Sequence, residues 1–133
     1  MDAKTLIHSY FTAFNEGRTD DMLALLHDEV EHHVNEGQIR RGKALFAEFN
    51  AHMTESYRET LTDLVVFANE SGDRAAAEFI VNGTYLKTDE GLPPARGQTY
   101  RLPAGSFFTL RDGKIARVTT YYNLADWTRQ VSA

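Results

Sequence analysis

The chain has 133 residues, enough for one domain with an ordinary core and too few for a core plus a separate catalytic domain, so residues 1–133 are taken as a single domain. A formal net charge of -5, with no basic run, argues against a nucleic-acid partner. The absence of cysteine excludes disulfides, a thiol nucleophile and cysteine-ligated metal centres.

The N-terminal segment lacks the features of a targeting sequence. It has neither the basic start nor the continuous apolar centre of a signal peptide, and no apolar run approaches membrane-spanning length. We therefore expect a cytoplasmic protein that does not interact with membranes.

Two helices are predicted at the start of the chain. Apolar residues recur at helical spacing over residues 3–16, and Gly17 follows at a position typical of a helix C-terminus. Thr19 is expected to cap a second helix, which ends near His27.

A short strand and a third helix complete the first half. Residues 29–35 alternate so that His32 and Val34 share one face. A polar connector over residues 37–42 leads into a helix whose apolar stripe includes Phe49.

The second half of the chain changes to a strand-like period. Asp112-Gly113 provides the residues of a two-residue type I′ turn, and a short C-terminal helix is predicted from about Leu124. A longer insert at residues 88–97 is either a rim over a pocket or a plain long turn. Four strands are expected, at residues 57–69, 74–87, 98–111 and 114–122.

Helices followed by hairpin-connected strands predict an α+β fold, with helices packed on one face of a curved antiparallel sheet. Alternation places Phe79, Val81 and Gly83 on one face of their strand, and we favour Phe108 and Tyr122 on the same inner side. Gly83 leaves room for a ligand or marks a bend in the sheet.

Three segments resemble a known superfamily. The runs YFTAFNEG at residues 10–17 and YYN at residues 121–123, together with the strand of residues 77–85, are similar to the nuclear transport factor 2-like superfamily, and more narrowly to its SnoaL-like and ketosteroid isomerase-related group. The resemblance implies a cone in which three helices and a curved sheet enclose a mostly apolar pocket for small molecules. It also implies a homodimer packed through the sheets.

The machinery of ketosteroid isomerase is matched only in part. The resemblance places Tyr10 on the oxyanion tyrosine, but it places Val34 on the general base, where a hydrocarbon cannot accept a proton. The protonated acid would fall at Gly105 or Ser106, and neither replaces it. Authentic ketosteroid isomerisation is therefore not expected.

Asn123 ends the closing strand at a position where SnoaL-like relatives often carry an aspartate. An amide orients a carbonyl or a water but has no useful proton equilibrium near neutral pH. Asn123 can equally cap the last helix without taking part in chemistry.

His32 is the candidate acid/base residue, because it shares a strand face with Val34 and because imidazole titrates near neutrality. Two other interpretations remain open. In the first, His32 is a hydrogen-bonded core residue. In the second, the strand is reversed and His33 faces inward.

Neither a metal nor a nucleotide cofactor is expected. The sequence has no HxH or HExxH spacing, and His8, His27 and His52 are assigned to three separate helices. The run GQIRRGKA at residues 37–44 resembles a phosphate loop but lacks the hydroxyl that ligates magnesium.

The sequence thus predicts a small-molecule enzyme of the isomerase, cyclase or lyase type, acting on an apolar cyclic or polyketide-like metabolite. Tyr10 would donate a hydrogen bond, His32 would act as acid/base and Asn123 would orient the substrate. The alternatives are a non-catalytic binding protein of the same fold and a dimeric interaction module. The expected pocket lining comprises Phe14, Val34, Phe49, Phe79, Val81, Phe108, Tyr122 and Trp127.

Overall fold

The computed structural model describes residues 1–35 and 37–133. These residues form four helices and six strands: α1 (Ala3–Asn15), α2 (Thr19–Ala24), β1 (Leu26–Val34), β2 (Arg40–Arg41), α3 (Lys43–Ser56), β3 (Tyr57–Ala68), β4 (Arg74–Tyr85), β5 (Thr99–Arg111), β6 (Lys114–Tyr122) and α4 (Leu124–Ser132). The predicted order of three helices, a meander and a C-terminal helix is confirmed.

The six strands form one open sheet in the order β2-β1-β6-β5-β4-β3. Neighbouring strands are antiparallel except for β1 and β6, which pair in parallel. The α+β prediction is confirmed, but the sheet is mostly rather than wholly antiparallel. The parallel pair carries no hairpin signal, because most of the chain separates its two strands.

The second helix is shorter than predicted. Arg18 rather than Thr19 occupies the N-cap position, and the helix ends at Ala24. The Leu25 carbonyl accepts a hydrogen bond from the backbone N–H of Ile115, which draws the next residues into the sheet. His27 consequently lies in β1, and its assignment to a helix is wrong. Tertiary pairing has overridden a helical pattern.

The strand faces follow the predicted alternation. Phe79 and Val81 are buried on the face covered by α1, where the ring of Phe11 lies 5.1 Å from that of Phe79. Phe108 is fully buried while Phe107 is 47% exposed, so the assignment of Phe108 to the inner side is confirmed.

The last two strands meet at a turn that matches its sequence signal. Asp112 and Gly113 have φ angles of 55° and 72°, as both central residues of a type I′ turn require. At the other end of β6, Tyr122 is partly buried and Tyr121 is exposed. The backbone N–H of Tyr122 donates to Oδ1 of Asn35, which ends the pairing of β6 with β1.

Helix α4 closes the sheet where β5 extends beyond β6. Trp127 and Val131 are buried beneath the helix. The side-chain amide of Gln130 accepts a hydrogen bond from the Arg101 N–H at 2.8 Å and donates one to the Arg101 carbonyl at 2.9 Å. The side chain of Gln130 thereby satisfies the backbone hydrogen-bonding groups of Arg101, in the part of β5 that β6 does not cover.

None of the helices built from the described residues is long and apolar enough to cross a membrane.

Candidate functional site

A groove of about 430 Å³ opens between α3, β2 and the connection that follows β4. Apolar side chains of α3 form one wall, and charged groups line the rest. The lining residues are Arg40, Leu45, Glu48, Phe49, His52, Met53 and Asp89. Such a mixture suits an apolar ligand that carries a few polar atoms.

Asp89 is the polar centre of the groove. Its Oδ2 accepts a 2.7 Å hydrogen bond from the Tyr57 hydroxyl, and its Oδ1 lies 2.9 Å from Nε2 of His52. The Tyr85 hydroxyl accepts from the backbone N–H of Asp89 and donates to the Pro93 carbonyl. The 88–97 connection is therefore fastened to the sheet and contributes a wall of the groove.

A second carboxyl lies deeper, on β3. The Tyr100 hydroxyl donates a 2.5 Å hydrogen bond to Oε2 of Glu59. In the sheet, Glu59 is paired with Gly83, and Gly83 is paired with Tyr100. The phenol therefore crosses the middle strand at the glycine to reach the carboxyl.

Gly83 is required for this crossing. A Cβ at position 83 would lie 2.2 Å to 2.4 Å from the outer ring carbons and hydroxyl of Tyr100. The space left by the glycine is thus filled by the Tyr100 side chain, rather than by either of the two features that the sequence suggested for Gly83, room for a ligand or a bend in the sheet.

Burial sets the protonation states of this region. Burial raises the pKa of Glu59, and the hydrogen bond from Tyr100 partly opposes that rise. Burial also raises the pKa of the phenols of Tyr57, Tyr100 and Tyr122, so these tyrosines are neutral hydrogen-bond donors at neutral pH.

Aromatic rings surround the two carboxyls. The ring of Trp127 lies 6.0 Å, 5.0 Å and 5.9 Å from the rings of Tyr57, Tyr85 and Tyr100. After burial, the carboxylates of Glu59 and Asp89 add to the rise in the pKa of Tyr122, which places its phenol in the field of both. We call this group of Tyr57, Glu59, Tyr85, Asp89, Tyr100, Tyr122 and Trp127 the tyrosine–carboxyl cluster.

His32 lies beside the groove and faces inward. It is 5% exposed, and its ring centre lies 4.5 Å from that of Phe46 and 4.9 Å from that of Phe49. Its Nδ1 is buried without a hydrogen-bond partner among residues 1–35 and 37–133. Burial, followed by the charges of Arg40 and His33, lowers the pKa of His32 to about 4. The imidazole is therefore neutral at pH 7, in contrast to the expected titration near neutrality.

The three residues predicted to be catalytic occupy separate places. Tyr10 is buried between the rings of Phe11 and Phe108, and burial raises its pKa. Asn123 is exposed, and its Oδ1 accepts the N–H of Asp126 as the cap of α4. Within the described part of the chain, no hydrogen bond joins Tyr10, His32 or Asn123 to one another.

The expected lining residues divide into two groups. Phe79, Val81, Phe108 and Trp127 are buried in the core. Phe14, Val34, Phe49 and Tyr122 are partly buried, and of the eight only Phe49 lines the groove.

Sequence reasoning missed the carboxyls of the cluster. Glu59 had a usable signal, because it alternates with Tyr57 and Leu61 on the inner face of β3, where an acidic side chain is out of place. Asp89 had no such signal, since it lies in a connection without periodicity.

No group of three or more potential metal-ligating side chains is found among the residues that the structure describes.

A family model for the SnoaL-like domain matches residues 7–118. The chain is 64% identical to the structure of a candidate polyketide cyclase from Silicibacter sp. TM1040, with 99% of this chain and 96% of that chain covered and a TM-score of 0.96. It is 56% identical to another candidate polyketide cyclase, from Pseudomonas putida KT2440, with 98% of each chain covered and a TM-score of 0.97.

A more distant structure shows the fold alone. An NTF2-like protein from Burkholderia xenovorans LB400 is 17% identical, with 97% of this chain and 95% of that chain covered and a TM-score of 0.77. Among curated proteins, no match to the chain was found.

Proposed function

Because the chain belongs to the SnoaL-like family of the nuclear transport factor 2-like superfamily, we propose that it is a small-molecule enzyme of the isomerase, cyclase or lyase type. The proposed substrate is an apolar cyclic or polyketide-like metabolite that carries a carbonyl group. The names of the Silicibacter and Pseudomonas relatives agree with this class of reaction.

One observation carries the proposal. Asp89 holds the Tyr57 phenol and the His52 imidazole beside the apolar wall formed by Phe49 and Met53. The guanidinium of Arg40, which lines the same groove and lies over the Phe49 ring, is a hydrogen-bond donor next to this apolar surface. Such an arrangement matches the needs of a ligand that is mostly hydrocarbon with one carbonyl oxygen. The neutral His32 adds a further hydrogen-bonding group beside Phe49.

Exchange of carbon-bound protons tests the proposal without knowledge of the natural substrate. 2-Tetralone, an apolar cyclic ketone, would be incubated with the protein in D₂O, and loss of its α-proton signals would be followed by NMR. We expect exchange faster than in buffer, and a reduction of at least about tenfold in Asp89→Asn, the scale of one lost hydrogen bond to a charged group. The exposed neighbour offers a matched control, Glu90→Gln, which should exchange like the wild type.

The outcomes separate the candidate functions. Binding of the ketone without exchange would favour a non-catalytic binding protein of the same fold. Neither binding nor exchange would contradict both small-molecule functions.

We also propose a homodimer formed through the outer face of the sheet. This face presents Phe67 at 52% exposed, Phe107 at 47% and Tyr121 at 52%, with the last two rings 6.0 Å apart. Phe67 and Phe107 both pair with Ala76 and so lie in one row across the strands. Contiguous exposed aromatic groups of this kind favour association with a second copy.

A further inference from the structure

We propose that Glu59 is the residue that transfers the proton in this site, and that Tyr100 is its positioning residue. The inference rests on the proposed function and names a catalytic group for it. It is carried by the geometry of the Glu59, Gly83 and Tyr100 row across β3, β4 and β5.

The two oxygens of the Glu59 carboxyl differ in their surroundings. Oε2 is held by the Tyr100 hydroxyl at 2.5 Å. Oε1 makes no hydrogen bond to a described residue, yet it is not sealed in the interior, since the buried unpartnered side-chain atoms of the described residues are confined to His32 and His33. Glu59 thus has one oxygen that fixes its orientation and a second that makes no hydrogen bond within the described part of the chain, which is the oxygen left for a ligand.

Glu59 also lacks a compensating cation. None of the ion pairs within the described residues includes it. A structural carboxylate at such depth is normally paired with a base, because an unpaired buried charge is costly. An acidic group kept in apolar surroundings without a cationic partner is the arrangement that general acid–base catalysis uses.

Gly83 on β4 makes room for the contact between Glu59 and Tyr100. Glycine weakens a strand interior relative to alanine, but any larger residue at position 83 would displace the Tyr100 ring. The glycine and the tyrosine together hold a proton-carrying group, whereas a purely structural core would be served by an apolar residue at position 59.

The proposed step balances without an added reagent. Oε1 of the Glu59 carboxylate takes a proton from a carbon next to a substrate carbonyl, so that the C–H bond breaks, its electron pair enters the enolate and an O–H bond forms on Glu59. In an isomerisation, Glu59 returns the proton to another carbon of the enolate. In a cyclisation, the enolate carbon bonds to a second carbonyl carbon, whose oxygen takes the proton from Glu59. Either route regenerates the carboxylate.

The titratable groups that face Glu59 are phenols from neighbouring strands. They are Tyr100 on β5 and Tyr122 on β6. Their pKa values are raised, so Glu59 is the group of this set that changes charge between acidic and neutral pH. The exchange rate should therefore rise with pH through an inflection above the ordinary value for glutamate. Removal of the Tyr100 hydroxyl removes the hydrogen bond that lowers this pKa, and should move the inflection to higher pH.

The test measures α-proton exchange of 2-tetralone from about pH 5 to about pH 8, together with its binding, since general-base catalysis contributes on the order of 10²–10⁴ in rate. We expect Glu59→Gln to lower exchange at least about a hundredfold while the dissociation constant changes less than about twofold. Tyr100→Phe should shift the inflection to higher pH. Glu70 is an exposed turn residue, and the control variant Glu70→Gln should leave the exchange rate and the pH profile unchanged.

Each outcome has a defined meaning. Wild-type exchange that persists unchanged in Glu59→Gln overturns the role of Glu59 while the proposed function stands. Absence of exchange in the wild type overturns both. A slower Tyr100→Phe with an unmoved inflection overturns the positioning role. Should Glu59→Gln not fold by circular dichroism, Glu59→Asp must slow exchange at least about tenfold, because even small misplacement of a catalytic group costs about 10²-fold; an unchanged rate in that variant overturns the role of Glu59.

Discussion

The imidazole of His32 lies with its ring centre 4.5 Å from that of Phe46, and the residue is 95% shielded from solvent as a result of this packing. Its pKa of about 4 lies below the value of 6.5 expected in the unfolded chain. The neutral form is favoured in the folded protein, so this stabilisation is complete above about pH 6.5 and is lost as the pH falls towards 4.

We therefore expect the free energy of unfolding to fall between about pH 7 and about pH 4 by up to about 3 kcal/mol more in the wild type than in His32→Gln. Urea unfolding at several pH values checks this, with the exposed His8→Gln as the matched control. Parallel pH dependence of the wild type and His32→Gln would show that His32 is not buried in neutral form.

Glu59→Gln should stabilise the protein at neutral pH. Because burial raises the pKa of Glu59, the stability that the neutral acid contributes is present below the ordinary glutamate pKa and is lost as pH rises through the folded value. The amide does not ionise, so the advantage of the variant in melting temperature should grow from acidic to neutral pH. An advantage that is constant with pH would indicate a packing effect instead.

Gly83→Ala should destabilise the protein by about 1–3 kcal/mol, as overpacking in a core does. The added methyl group would displace the Tyr100 ring from Glu59. Gly105→Ala is a matched control in the adjacent strand, since its Cβ would meet only the Ala77 carbonyl at an ordinary 3.5 Å. Equal losses in the two variants, measured by urea unfolding, would argue against a specific role for Gly83.

Asn123 separates a structural role from a catalytic one. Asn123→Ala should cost about 1 kcal/mol through loss of the helix cap. Asn123→Ser should restore most of this, because serine also caps helices well. If both variants exchange ketone protons at the wild-type rate, the role of Asn123 is confined to the cap; a joint loss of activity would support the catalytic role predicted from the sequence.

The double variant Phe107→Ser with Tyr121→Ser should shift the protein from dimer to monomer in sedimentation velocity. Both side chains are exposed on the outer face of the sheet, and the double variant removes two of the three aromatic contact groups that we assign to the dimer. Leu86→Ser serves as the control, because Leu86 is also exposed and lies just after β4. A wild type that sediments as a monomer at all concentrations would contradict the dimer.

The secondary structure could be predicted well because local patterns determine most of it. The turn at Asp112-Gly113 and the alternation along β4 and β5 correspond to what the structure shows. The errors lie where distant segments decide, as at His27, which belongs to β1 because the preceding Leu25 and Leu26 pair with Ile115 of β6. Residue patterns do not encode a parallel pair whose strands are separated by most of the chain.

The candidate site was harder to predict for a related reason. Tyr100 reaches Glu59 across a third strand, so their proximity depends on the order and register of three strands. Asp89 joins the same cluster from an irregular connection. Residues such as Tyr10 and His32 were found through resemblance and strand alternation, which report the facing of a side chain but not its hydrogen-bond partners.

The amide of Gln130 has a consequence for solubility. It forms hydrogen bonds with both the backbone N–H and the carbonyl of Arg101, as a residue of an additional strand would, in the part of β5 that extends beyond β6. A bare strand edge recruits strands from other molecules and so seeds aggregation. The C-terminal helix thus blocks the addition of strands from other copies of the chain at this edge of the sheet.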